Sequence, residues 1–139
     1  MSLIPVISLP NGRRMQIHQC LSDPAFYLIV VGHEWAEELG TTLYEFEIGI
    51  VVDSEMVEVH RSKHRFSELH GLYEYLSRVY QKQLAPMNLT FPGKRWFFSN
   101  SKQVVERRSK EMQEFFSKAL IVVDLIHDPR FLSMFVQNG

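Results

Sequence analysis

From His60 to Arg65 the chain reads HRSKHR: three Lys/Arg and two His, with no acid, followed at once by Phe66. A second basic stretch, KRWFFSNSKQVVERRSK, occupies residues 94–110. Windows 61–65 and 94–110 together are 22 residues and hold nine of the 15 Lys/Arg against one acid, Glu106. Their sum is +8 in a chain whose net charge is −1, so the rest of the molecule is acidic. Such polarity fits an anion-facing surface that steers a ligand from a distance. A basic run taken alone is more often a solvated face. Two details favour a site here. Arg108 falls among Val104, Val105 and Met112 on what reads as an apolar helix face. A guanidinium is rarely buried without a partner, which would be a carboxylate of the protein or an anionic ligand. Second, Trp96, Phe97 and Phe98 follow directly on Lys94 and Arg95. Either these aromatics fold into the core, Phe98 first among them, or they form a foot at headgroup depth beside cations drawn to anionic lipid.

Other chemistries find less support. The six histidines show no metal-ligand spacing; His60 and His64 are four apart, but across a strand end rather than on one helix. No Gly-rich phosphate loop occurs. Cys20, the only cysteine, has no base beside it in sequence, and one cysteine cannot form an internal disulfide. Basic residues interleaved with aromatics suit single-stranded nucleic acid, but there is no continuous basic stripe. The expectation is a protein that is not an enzyme and uses no metal, cofactor or nucleic acid.

The elements that must position these residues follow from periodicity. At 139 residues, 45% apolar and 22% charged, the chain suits one globular domain, whole or cut from a larger protein. The longest apolar runs, such as Ala119–Val123, fall far short of the ~20 residues that span a bilayer. Met1–Pro10 lacks the basic start and long apolar core of a signal peptide. Residues 1–25, broken by Pro5, Pro10, Gly12 and Pro24, read as an irregular N-terminal extension; Met1–Leu3 could be an expression remnant. The domain proper is 26–139. Phe26–His33 is a short apolar strand, Glu34–Gly40 a polar loop, and Leu43–Val52 a strand of period two. In that strand Tyr44, Phe46, Ile48 and Ile50 face one way and Glu45, Glu47 and Gly49 the other. Glu55–Arg61 completes an antiparallel meander. After Phe66, Leu69, Leu72, Tyr73, Leu76, Val79 and Tyr80 form one helical stripe. Leu84–Lys94 is a Pro/Gly-fixed loop. Ser101 caps a second helix, on which Val104, Val105, Arg108, Met112, Phe115, Phe116 and Ala119 share a face that continues, after a kink, to Ile126. Asp128-Pro129 starts a last helix running to about Val136. The fold class is α+β: a three-stranded antiparallel sheet packed against a helical subdomain.

HRFSELHGLYEYL resembles the R-R-Y-S-D-F-x-x-L-H-x-x-L signature of PX (phox-homology) domains. FPGK is similar to the end of that family's Pro-rich loop, and VVERRSKEMQEFF to its E-R-R-x-x-L-x-x-[FY] helix. The three motifs stand in the family's order and cover roughly residues 26–137. The resemblance implies a headgroup site for phosphatidylinositol 3-phosphate. In it Arg65 grips the 3-phosphate, Phe66 supports the inositol ring, Lys94 meets the 1-phosphate and Arg108 bonds the 4- and 5-hydroxyls. A bidentate fork suits the 3-phosphate better than an ammonium would. Trp96 and Phe97 match the membrane-inserting loop, with Arg61, Lys63, His64, Arg95 and Arg107 as supporting basic surface. The helix beginning at Phe66 would add its N-terminal dipole and free N–H groups.

This chain departs from the pattern in four places. His64 replaces the first arginine of the pair, Phe66 the tyrosine and Leu69 the phenylalanine, and the family's P-P-x-x-P is reduced to Pro86 and Pro92. The implied function is recruitment to membranes: a cytoplasmic protein, peripheral on endosomes, of sorting-nexin type, acting in protein transport with partners from a trafficking complex. A PX-like protein-interaction module of weak lipid selectivity is the alternative. His64 adds an expectation of its own: protonation near pH 6–6.5, where an unperturbed histidine titrates, would strengthen membrane binding.

Overall fold

The computed structural model describes residues 6–8, 14–16, 25–52, 55–93 and 101–136. Within the N-terminal extension, β1 (Val6–Ser8) and β2 (Arg14–Gln16) form a small antiparallel hairpin, and β1 contacts the third strand of the main sheet. The main sheet is the expected meander: β3 (Ala25–Ala36), β4 (Thr41–Val52) and β5 (Glu55–Arg65), all antiparallel. Among the described residues four α-helices follow: α1 (Phe66–Val79), the single turn α2 (Gln81–Leu84), α3 (Lys102–Val122) and α4 (Pro129–Phe135).

Two strand ends differ from the sequence reading. The segment expected as a polar loop from Glu34 is still strand: Glu34 pairs with Leu43, Trp35 with Thr42 and Ala36 with Thr41. Polarity misleads there because an outward-facing strand end can be as polar as a loop. β5 likewise runs past Arg61 through Arg65, with His64 opposite Tyr44 and Arg65 opposite Leu43. HRSKHR is therefore strand, and its two-residue period sorts the side chains. Ser62 and His64 turn inward and are buried, whereas Arg61, Lys63 and Arg65 are exposed.

The core lies between the sheet and the helices. Tyr44, Phe46 and Ile48 are fully buried and meet Leu69, Leu72 and Leu76 of α1, Met112, Phe115 and Phe116 of α3, and Phe131 and Phe135 of α4. Phe46, Phe116 and Phe135 pack as tilted and edge-on pairs with centroids 5.2–6.1 Å apart, arrangements worth about 1 kcal/mol each beyond burial. Val79 leaves the α1 stripe and is exposed. Ten residues beyond Leu69 the helix falls about 80° short of a whole number of turns. The α3 face is buried as expected, Arg108 included, but the helix ends at Val122; a 3₁₀ turn (Leu125–His127) follows, with Leu125 buried.

Three polar devices set the layers. Ser101 caps α3, accepting from Val104 N–H at 3.3 Å. Asp128 caps α4, accepting from Arg130 and Phe131 N–H, and also receives the hydroxyls of Tyr75 at 2.9 Å and Tyr80 at 2.5 Å, which ties α4 to α1. Burial alone would raise the Asp128 pKa; these hydrogen bonds outweigh it and hold the carboxyl below its ordinary value. Along the outer edge of β3, Gln113 of α3 accepts the Val30 N–H at 2.8 Å and Ser117 donates to the Leu28 carbonyl at 3.2 Å.

Candidate functional site

The site forms where β5 hands over to α1. Arg65 is the last strand residue and the N-cap of α1, extended at φ −73°, ψ 153°, with an exposed side chain. Its N–H donates to Glu68 Oε1 at 3.1 Å. That amide is thus taken within the first turn. Phe66 opens the helix and is 8% exposed. The guanidinium of Arg108 lies over its ring, 3.7 Å from the centroid, and Arg108 is itself only 5% exposed. A desolvated contact of this kind contributes about 2 kcal/mol. On the inner side, the buried Tyr44 hydroxyl has Arg108 as a polar neighbour, a loose contact rather than a well-aligned hydrogen bond. Burial pushes the Tyr44 phenol up, and the guanidinium draws it partly back.

Phe91 is a contributor that sequence reading passed over as loop. It stacks on Tyr73 at 4.4 Å and 6°, and lies at 6.1 Å and 21° to Phe66. The signal was an aromatic directly before Pro92-Gly93: apolar enough to anchor a loop whose next residue is Lys94. Lys94, Arg95, Trp96, Phe97 and Phe98 lie outside the described residues.

Of the expected site residues, the structure brings Phe66 and Arg108 into contact, and Arg65 precedes Phe66 in the chain with its side chain exposed. Arg61 and Lys63 are on the outer face, each engaged by a carboxylate. Arg61 Nε donates to Glu47 Oε1 at 2.8 Å and Lys63 Nζ to Glu34 Oε1 at 2.9 Å, contacts that raise both pKa values. Arg107 is exposed, with Glu111 3.8 Å away one turn on. His64 corrects the reading of a basic surface residue. Strand alternation buries it at 7% exposure, with Nε2 2.7 Å from Ser62 Oγ and its ring 5.3 Å from Phe135. Desolvation lowers its pKa, partly opposed by Glu68, so His64 is neutral at neutral pH.

A cavity of about 350 Å³, lined by Tyr73, Ser77, Leu84, Asn88 and Phe115 among others, carries no charged side chain and includes none of Arg65, Phe66 and Arg108. Its lining suits no anion. Among the described residues no cluster of His, Cys, Asp and Glu could hold a metal ion, and no helix is long and apolar enough to cross a membrane.

Comparison with known proteins agrees with this fold. A designed CISK-PX domain superposes with a TM-score of 0.61 at 17% identity, covering 79% of this chain and 98% of that one. The mouse SNX19 PX domain, solved with a bound sulphate ion, gives 0.59 at 18% identity, covering 80% and 95%. At such identities the likeness is one of fold. No curated protein matches. The PX domain model matches residues 53–138, from the start of β5 through α4 and across all three motifs, and the chain belongs to this family of phosphoinositide-binding membrane-recruitment modules.

Proposed function

We propose that the protein recruits its parent assembly to endosomal membranes by selective recognition of phosphatidylinositol 3-phosphate. The observation that carries this reading is the Arg108 guanidinium, nearly buried and seated on Phe66, the residue that directly follows the exposed Arg65. Arg65 is free to reach outward and grip a phosphate bidentately. Arg108 is already desolvated and ordered, so binding loses little side-chain freedom there. Arg108 covers the Phe66 face on which an inositol ring would rest. Binding would then exchange a cation–π contact of about 2 kcal/mol for hydrogen bonds from Arg108 to the 4- and 5-hydroxyls. A phosphate on either hydroxyl would crowd that exchange, which gives the site a reason to select the 3-phosphate alone. Lys94, three residues beyond the Phe91 anchor, would meet the 1-phosphate, and Trp96 and Phe97 would enter the leaflet. The sulphate in the mouse SNX19 PX domain is a tetrahedral dianion of the kind this chemistry requires.

The test is sedimentation with liposomes bearing each mono- and polyphosphorylated inositide, at physiological salt, for the wild type and Arg65→Gln. Selective binding to phosphatidylinositol 3-phosphate that vanishes in the variant is expected. Binding that ignores headgroup identity and survives the substitution would reduce the site to a basic patch.

A further inference from the structure

The β3–β4 hairpin, residues 25–52, contains five acids (Glu34, Glu37, Glu38, Glu45 and Glu47) and no Lys or Arg. Toward its base the acids are matched from β5: Arg61 holds Glu47, and Lys63 holds Glu34 and stands opposite Glu45. At the tip they are not. Glu37 and Glu38 are exposed, and neither forms an ion pair with a described residue. Around them Trp35 is 53% exposed and Leu39 45%, two of the three large apolar side chains exposed among the described residues. The tip also stands clear of the third strand. β5 pairs with β4 only as far as Leu43, whereas β3 and β4 pair on through Thr42 and Thr41. The turn itself is fixed. Gly40 N–H bonds the Ala36 carbonyl at 2.8 Å, Leu39 N–H bonds it at 3.1 Å, and Gly40 supplies the left-handed φ of +65°.

An ordered turn holding a large aromatic in water, ringed by unmatched carboxylates, has the composition of an interface anchor and its polar rim. We propose that Glu34–Gly40 is a docking knob for a protein partner whose contacting segment carries Lys or Arg beside an apolar side chain. Charge decides between a protein and a lipid occupant. A cation near an anionic leaflet is attracted to it, and a carboxylate faces the opposite sign. Glu37 and Glu38 would therefore oppose seating Trp35 in such a leaflet, while they attract a basic segment and steer its approach. The proposal does not depend on the headgroup reading.

Trp35 and Trp96 are the only tryptophans, so Trp96→Phe leaves Trp35 as the sole indole reporter. The probe is a displayed random-peptide library, selected on this full chain with Trp35→Ala as the counter-selection. Enriched peptides should combine Lys/Arg with an aromatic or aliphatic residue and shift Trp35 emission to the blue. Their affinity should fall about tenfold or more in Trp35→Ala and again in Glu37→Lys/Glu38→Lys, a surface pair away from the core. No enrichment over the counter-selection, or peptides without basic residues, would overturn the proposal. Quenching of Trp35 by vesicles of brominated phosphatidylcholine and phosphatidylserine would overturn it too, in favour of a membrane foot.

Discussion

Two arginines are held in different ways. On the outer face of the sheet, Arg61 meets a carboxylate: Glu47, fully buried, receives Arg61 Nε on one oxygen and the Tyr27 hydroxyl on the other. At the β5–α1 junction, Arg108 meets an aromatic face. The first arrangement spends the guanidinium's hydrogen bond on the protein. The second sets the charge against a ring quadrupole, a contact that does not itself consume an N–H donor. A ring face thus stabilises a buried arginine without neutralising its charge. An arginine held by a carboxylate is committed to the fold. The contrast distinguishes a cation held by a carboxylate from one held by a ring where sequence shows only two basic residues.

Substitutions on the two sides should therefore report on different things. Glu47→Ala removes the carboxylate that the Tyr27 hydroxyl and Arg61 share and empties a packed site, and should destabilise the protein by about 3 kcal/mol in urea denaturation while leaving vesicle affinity per folded molecule unchanged. Loss of headgroup selectivity in that variant would break the comparison. Gly49→Ala tests the same face without touching charge. A Cβ there would stand 2.1 Å from the Tyr27 ring, which must move. About 2 kcal/mol of stability should be lost, and the Tyr27–Glu47 contact with it. Arg108→Lys should show the inverse pattern: affinity for the 3-phosphate headgroup down at least about tenfold, with a smaller change in melting temperature, because a lysine keeps the charge and loses the planar fork. A variant that binds normally would return Arg108 to a purely structural role.

The smallest effect is one of pH. Burial depresses the folded-state pKa of His64 below its unfolded value of about 6.5. Between those two values the unfolded chain binds more protons, so stability rises with pH there. The His64 contribution is complete above about pH 6.5 and is lost as pH falls through the folded pKa. His64→Gln should flatten that part of the stability profile. Vesicle binding of the two proteins should run in parallel from pH 7.5 to 5.5, since a neutral buried ring adds no surface charge. A binding gain at low pH that disappears in His64→Gln would restore the sensor reading.

Much of this was legible in the chain. The alternation of Tyr44, Phe46 and Ile48 and the stripe from Val104 to Ala119 fixed which faces are buried, because both periods are strict and the residues large. Arg108 stood out on that stripe for the same reason: a charged residue breaking an apolar face needs an explanation, and it is buried there. What escaped reading was the reach of strands into polar sequence. Glu34–Ala36 and Ser62–Arg65 carry loop-like composition, and only backbone pairing extends them. His64 was misread as a consequence, since the direction of a strand residue depends on knowing that the strand has not ended. The pairing of Arg61 with Glu47 and of Lys63 with Glu34 depends on register between strands, which composition does not encode.

The Gln113 and Ser117 contacts on the β3 edge have a consequence for solubility. A strand at a sheet margin offers a row of unpaired amides and carbonyls on which another chain can template, the geometry that seeds fibrils. Here helix side chains occupy the Val30 N–H and the Leu28 carbonyl as a neighbouring strand would. The margin built from AFYLIVV, a β-branched and aromatic run without charge, is thereby guarded by a helix. Replacing Gln113 or Ser117 would leave the folded monomer nearly intact and shorten its lifetime at high concentration.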